Sequence, residues 1–413
     1  MRLLARLFRV VWGSDVDRAL RPLLGITLAG SLGGSSVFAF IGIWAIRRLH
    51  AGQGTVGTAF LVSALLGAGA GYLGGHLSDH IGRRPLMLLS WGLFPPVMLG
   101  LLASGSNLVA GLALFCAGGI MFQLGSAANQ ALVADLVPSE RHEAAYAAVR
   151  VASNLGVTFG PPFGGLMLAL GSWPAVFVGG ATVSVIAFLL AWRYLPARGD
   201  YSPEAPPERG SFGVIARDRG FLLFLVSAAL AWITYVAYEI ALPISLVQSH
   251  GIPPAAWGFL VMLNAAAVTL FQLRLTRALR GVSAAVKLGV GLPLMGVPFL
   301  LLGIADPLPV IVVVVLLFVL GEMLWVPSSQ SVVAGLAPAD LRGAYMGAFS
   351  SVSAVGWALA PFLGLQLRAA AGDSAMWAMF ACFSILAGIT GAAACRVAVA
   401  RSRGPSRAAE ATA

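Results

Sequence analysis

The stretch Gly74-Gly75-His76-Leu77-Ser78-Asp79-His80-Ile81-Gly82-Arg83-Arg84-Pro85 sets one acid, two arginines, two histidines, three glycines and a proline within twelve residues. Apolar segments flank it at about 56–77 and 85–104, each near the roughly 20 residues that a helix needs to cross a bilayer. A short, charged turn between two such segments marks a place where the chain leaves the membrane and re-enters it. Working outward, further apolar segments occur at about 22–46, 107–134, 143–170 and 173–196. They resume after a polar gap at about 219–247, 255–275, 284–305, 308–335, 342–368 and 374–397. That is twelve spans in two sets of six.

Composition supports the same class. The 413 residues are 59% hydrophobic and only 10% charged, with a mean hydropathy of +0.88. A soluble domain carries about 25% charged residues, because its surface faces water. Backbone polar groups in hydrocarbon must pair internally, which leaves helices or closed barrels. These segments are too long and continuous for the alternating strands of about 10 residues that build a barrel. The fold class is therefore an all-α membrane protein with twelve transmembrane helices in two six-helix bundles. The expected divisions are an N-terminal bundle over 1–196, a linker over 197–218, a C-terminal bundle over 219–397 and a tail over 398–413. The linker carries Gly199, Pro203, Pro206, Pro207 and Gly210 among mixed charges. At the start, Arg2, Arg6 and Arg9 share one helical face and Leu3, Leu7 and Val10 lie beside the opposite one, the pattern of an interfacial helix.

The net charge of +10 is spread over many short loops, whereas a nucleic-acid binder clusters its cations on one face. No nucleic-acid partner is expected. Of the 26 lysines and arginines, only Arg47, Arg48 and Arg368 fall on one side of the twelve-span topology. By the positive-inside rule both termini and the Gly74–Pro85 turn are cytoplasmic, in a multi-pass protein of the cell membrane. Cys116, Cys382 and Cys395 lie in apolar segments without metal or disulfide spacing and read as packing residues. No metal site and no cofactor are implied.

The halves also repeat. Asn129-Gln130-Ala131-Leu132-Val133-Ala134-Asp135-Leu136-Val137-Pro138 aligns, at an offset of 200, with Ser329-Gln330-Ser331-Val332-Val333-Ala334-Gly335-Leu336-Ala337-Pro338. The same offset pairs Ser153 with Ser353, Gly156 with Gly356, Pro161 with Pro361 and Gly164 with Gly364. Six-plus-six repeats about an axis along the membrane normal belong to rocker-type secondary transporters, whose site lies near the midplane.

Gly75-x-x-x-Asp79-x-x-Gly82-Arg83-Arg84 resembles the signature that follows the second span in the major facilitator superfamily. Gly156-x-x-x-Gly160-Pro161-x-x-Gly164-Gly165 in span five resembles a motif of that family's antiporters. Gly321-Glu322-Met323-Leu324 with Pro327 in span ten is similar to its twelve-span drug:proton antiporter branch. The resemblance runs through all twelve spans. It implies that Asp79 docks at the start of span eleven and that Arg83 pairs with Asp135 at the end of span four. Asp79, Gly82, Arg83, Arg84 and Asp135 would then form a latch that opens as the halves rock. His80 stands where the family commonly has a basic Arg or Lys. The equivalent second-half turn, Arg274 to Gly281, is basic without an acid, so the latch would be one-sided.

The residues support these roles on physical grounds. Gly82 permits a tight turn, and Pro85 suits the first position of the next helix. An arginine holds a carboxylate through a forked hydrogen-bonded pair. Gly156, Gly160 and Gly164, spaced by four, make a small-residue face for close helix packing, and Pro161 bends its helix.

Charge within a span is costly and calls for a reason. Two acids sit well inside spans, Glu239 in span seven and Glu322 in span ten. Glu322 lies roughly 21 Å into its helix at ~1.5 Å per residue, near mid-membrane, with Trp325 and Ser329 on its face. Glu239 shares its face with Trp232 and Tyr235, and Tyr238 is adjacent. Such a carboxyl can exchange a proton, neutralise a cationic substrate, or serve as a hydrogen-bonded structural acid.

In the family the cavity is lined by spans one, four, seven and ten. The candidate liners are Ser35, Phe38, Gln123, Ser126, Trp232, Tyr235, Glu239, Glu322 and Trp325. The family's proton-linked members often carry an arginine in span four, and none occurs here between Asn107 and Asp135. Gly69-x-Gly71-x-x-Gly74 fits a dinucleotide fingerprint but lies inside span two without a preceding strand, so it reads as helix packing. The sole lysine, Lys287, has no phosphate-loop context.

The expected function is secondary transport rather than catalysis: proton-coupled efflux of small amphipathic or drug-like molecules by alternating access. Its partners would be a small-molecule substrate, protons and the lipid bilayer, with the protein acting as a monomer. The alternatives are a facilitator-type importer of sugars, amino acids or other metabolites, and a non-transporting membrane sensor.

Overall fold

The computed structural model describes residues 18–138, 142–195, 211–303, 308–338 and 341–410, with a few side chains inside helices left undescribed. The expected interfacial helix, most of the linker and the last three residues of the tail lie outside the described residues. Helices occupy all twelve expected positions, and no strand occurs among the described residues. In the first half they are α1 (Arg21–Arg48), α2 (Gln53–Ile81), α3 (Arg83–Ala103), α4 (Leu108–Leu136), α5 (His142–Leu170) and α6 (Trp173–Tyr194). In the second half they are α7 (Arg219–Gln248), α8 (Pro254–Ala278), α9 (Ala284–Gly296, continued as a 3-10 turn over Val297–Gly303) and α10 (Leu308–Leu336). The stretch Arg342–Glu410 holds α11 and α12, divided at Gly372, whose φ of 83° breaks the helix. Among the described residues ten stretches are long and apolar enough to cross a membrane; the last, Tyr345–Val397, contains both α11 and α12.

The turn within Gly74–Pro85 is shorter than the sequence predicts. Helix α2 runs to Ile81 and α3 begins at Arg83, leaving Gly82 alone between them. At 29 residues, α2 extends roughly 43 Å at ~1.5 Å per residue, beyond a hydrocarbon core of ~30 Å. Its last turns therefore carry polar side chains without leaving the helix. Gly82 has φ 93° and ψ 157°, a conformation that a side chain resists. Pro85 is the third residue of α3 rather than the first; its missing N–H still costs nothing there, because first-turn N–H groups have no helical partner. Within the expected linker, Ser211–Arg217 forms a short helix.

Helix starts follow capping chemistry. The Asn107 side chain accepts from the Ala110 N–H at 3.0 Å to open α4. Asp218 accepts from the Phe221 N–H at 3.1 Å to open α7, and its other oxygen accepts from the Tyr345 hydroxyl at 3.0 Å.

The chain divides into two compact units. One comprises Met1–Ala51, Val62–Ala205 and Ile252–Met262; the other comprises Gly52–Leu61, Pro206–Gly251 and Leu263–Ala413. In the first unit α1 packs on α5 and α6, and α3 packs on α4 and α6. In the second, α7 packs on the α11–α12 stretch, and α9 packs on α10 and on that same stretch. Each unit also takes in the first residues of one helix from the other half. In the first, the backbone of Gly258 in α8 meets the Pro161 carbonyl of α5 so closely that a Cβ would stand 2.6 Å away. In the second, Gly57 of α2 meets the Pro361 carbonyl, at 2.7 Å for a Cβ.

At the α7–α11 end of the second unit, Arg368 is buried and pairs with Asp373. It also donates to Gln248 and, at 2.9 Å, to Ser249, while Ser245 donates to Asp373 at 2.9 Å. These bonds account for the burial of Arg368, one of the three cations that the charge count set apart from the rest.

Candidate functional site

Glu322 stands fourteen residues beyond the start of α10, the middle of a 29-residue helix. Three contacts set its position. Gly321 lets α9 approach closely, and a Cβ on Gly291 of α9 would lie 2.7 Å from Leu324 Cβ. Pro327 has no N–H, which frees the Met323 carbonyl four residues back; Gln272 of α8 donates to it through Nε2 at 3.1 Å. Asn264, eight residues before Gln272 and so on the same face of α8, donates through Nδ2 to Glu322 Oε2 at 3.0 Å. The two amides of α8 thus hold the acid and the opened backbone beside it.

Aromatic rings from α7 and α10 pack on one another beside this acid, with Tyr235 and Tyr238 within its electrostatic reach. The Trp232 ring lies 5.3 Å from Tyr235 and 5.3 Å from Trp325, both edge-on. Tyr235 lies 6.1 Å from Trp325 and 5.9 Å from Phe318. Tyr238 stacks on Phe318 at 4.2 Å with an 11° interplanar angle. Trp325 is 2% exposed, and the indole N–H of Trp232 is buried without a hydrogen-bond partner among the described residues. Glu239 follows Tyr235 by one turn of α7, and its carboxyl lies within electrostatic reach of Glu322. Neither acid makes an ion pair among the described residues. Rings present a negative face to a cation, so two acids without a fixed counter-charge, set among aromatics, form a site suited to a cationic or protonated guest.

Ser329, predicted on the same face, donates to the Trp325 carbonyl at 2.9 Å, so its hydroxyl serves its own helix. Asn264 and Gln272 escaped the sequence reading. The available signal was an amide in the middle of an otherwise apolar span, the same cost that singled out the two acids.

The structure brings Trp232, Tyr235, Glu239, Glu322 and Trp325 together in the second unit. The remaining liners belong to the first. Ser35 donates to the carbonyls of Ser31 at 2.7 Å and Gly156 at 3.2 Å, across the α1–α5 contact. Phe38 is partly exposed on α1, and Ser126 is half-buried on α4. Gln123 packs against α2, where a Cβ on Gly67 would stand 3.1 Å from its Cγ.

The Gly-Pro segment of α5 is a packing surface. A Cβ on Gly156 would stand 2.7 Å from the Leu28 carbonyl and 2.8 Å from the Leu32 nitrogen of α1. Gly160 and Gly164 meet Ser35 and Ser36 of the same helix. Gly165 turns to α8, where a Cβ would stand 2.9 Å from the Ala255 carbonyl. At the Gly82 turn, Arg83 donates through Nε to Asp135 Oδ2 at 2.9 Å, with the arginine side chain 6% and the aspartate 16% exposed. Arg84 donates to the Trp192 carbonyl at 2.8 Å, satisfying a carbonyl in the last turn of α6. The Asp79 side chain lies outside the described residues.

Residues 20–361 match the model of the Major Facilitator Superfamily. Multidrug resistance protein MdtH of Edwardsiella ictaluri is 28% identical over 336 residues, covering 81% of each chain. A Na(+), Li(+), K(+)/H(+) antiporter of Planococcus maritimus is 22% identical over 390 residues, covering 85% of this chain and 90% of that protein. Among solved structures, a POT family transporter in complex with a thioalcohol-conjugated peptide superposes with a TM-score of 0.72 at 15% identity, over 90% of this chain and 95% of that one. The chain belongs to the Major Facilitator Superfamily and has that family's fold. It is a multi-pass membrane transporter.

Proposed function

We propose that this transporter is an antiporter that exports small amphipathic, preferentially cationic molecules in exchange for protons. The observation that supports it is Glu322, held by Asn264 in mid-helix among Trp232, Tyr235 and Trp325 with no cation paired to it among the described residues. A carboxyl in such surroundings is stable when it carries a proton or faces a cation, and costly when it has neither. Proton and substrate then compete for one group. Loading from one side displaces the proton, and reprotonation from the other releases the substrate. Glu239, one turn beyond Tyr235, supplies a second station for either. Similarity to a multidrug resistance protein and to a cation/proton antiporter points the same way.

Alternating access would move this site between the two membrane faces, and the Arg83–Asp135 pair, with Asp79, would bias the equilibrium between the two states. The positive-inside count puts both termini in the cytoplasm of a cell membrane. Everted membrane vesicles test the coupling. Accumulation of an amphipathic dye cation is expected when a proton gradient is imposed, and it should collapse when an uncoupler dissipates that gradient. Accumulation indifferent to the uncoupler would exclude proton exchange.

A further inference from the structure

We propose that the second unit holds one anionic phospholipid in a groove between α8, α9 and α10. The groove encloses about 310 Å³, near the lower end of ligand pockets at ~300–1,000 Å³. That volume admits a headgroup and the first part of an acyl chain. Its walls are mainly hydrocarbon, with Leu275 and Leu279 from α8 and Met323, Leu324 and Pro327 from α10. Lys287 lines it near the start of α9, and Thr276, Ser328 and Ser331 also line it. From Met323 to Ser331 the lining descends roughly 12 Å along α10 at ~1.5 Å per residue.

Charge decides the occupant. Arg277 and Arg280 are exposed and flank the lining residue Leu279 in sequence. No aspartate or glutamate occurs between Glu239 and Asp306, which covers the α8 and α9 walls; on the α10 wall Glu322 precedes the lining residue Met323 and is held by Asn264. Among the described residues, Arg277, Arg280 and Lys287 make no ion pair. The corresponding corner of the first unit has Arg83 neutralised by Asp135 at 2.9 Å. Among the described residues no carboxylate pairs with these cations, and basic pockets between transmembrane helices bind anionic lipid headgroups. A free phosphate would use the ammonium and leave the long apolar wall unoccupied. A phosphodiester lipid uses both.

The test is lipid retention by the purified full-length protein in native mass spectrometry, after equilibration with equal amounts of phosphatidylcholine and phosphatidylglycerol and without substrate. Preferential retention of one phosphatidylglycerol is expected. Arg277→Gln and Lys287→Gln should each weaken it about five-fold, at roughly one surface charge's worth of attraction. Ser331→Phe keeps every charge and obstructs the groove from an exposed position, so it should also abolish retention. Melting of each variant in detergent shows that it is folded. Equal retention of the two lipids would overturn the proposal. So would an undiminished signal in Ser331→Phe, which would mean the cations gather lipid without the groove, or displacement by inorganic phosphate, which would mean a soluble-anion site. Because no substrate is present, these outcomes stand apart from success or failure of the transport reading.

Discussion

At positions 200 apart the two units share their packing and differ in their chemistry. Helix α4 spans Leu108–Leu136 and α10 spans Leu308–Leu336. Gly156 of α5 meets Leu28 and Leu32 of α1, and Gly356 of α11 meets Trp232 of α7, where a Cβ would stand 2.7 Å from the Trp232 backbone. Small residues set how closely helices approach, so keeping them keeps the frame. The side chains that line that frame have diverged. Leu32, Ser35, Ala39 and Phe122 stand where the second half has Trp232, Tyr235, Glu239 and Glu322. The first half in turn holds the Arg83–Asp135 pair, and its second-half counterpart holds cations alone. The repeated packing makes a common scaffold, and each half carries its own polar chemistry.

Substituting Glu322 tests that division most strongly. Glu322→Gln should cut proton-driven transport on the order of a hundredfold, the low end of what losing a proton-transferring group costs, with the protein still folded. Adding Phe122→Glu at the equivalent first-half position should not restore it, since α2 offers no amide placed as Asn264 is. Full transport by Glu322→Gln would remove the chemical asymmetry.

The next largest effect concerns the ion pair. Arg83→Gln leaves the Asp135 carboxylate without its partner, and breaking a buried pair from one side costs about 3 kcal/mol. It should therefore lower the unfolding midpoint in detergent well below that of Arg280→Gln, which removes an exposed cation from the matching second-half turn. Equal shifts would show that the two turns are equivalent after all.

The smallest contrast is the one expected to be nil. Gly156→Val and Gly356→Val both force a branched side chain against a neighbouring helix backbone, and overpacking of this kind costs about 1–3 kcal/mol. Unfolding measurements should give similar losses for the two. A large disparity would mean that the glycine contacts do not carry the repeated packing.

Much of this was legible in one dimension. Hydropathy adds up locally, so span positions follow from composition over about 20 residues, and the repeat follows from a constant offset in residue number. The glycines at 156, 160 and 164 and the acids at 239 and 322 are conspicuous because each is unusual for its surroundings. Other features depend on how a helix is rotated and what stands beside it. Ser35 looked like a cavity liner, and its hydroxyl bonds the Gly156 carbonyl across a helix contact. The charged turn looked like a loop, and the helices close it down to Gly82.

The sequence by itself determined an all-helical membrane protein with a repeat at an offset of 200 and two acids inside apolar helices, because the cost of polar groups in hydrocarbon is read residue by residue. Only the tertiary structure decided that Asn264 holds Glu322, that Gln272 takes up the carbonyl freed by Pro327, and that the rings of Trp232, Tyr235 and Trp325 pack on one another. Those choices rest on the rotation and approach of α7, α8 and α10. Side chains on three separate helices meet only after glycine contacts such as Gly291 against Gly321 have set the distances between them.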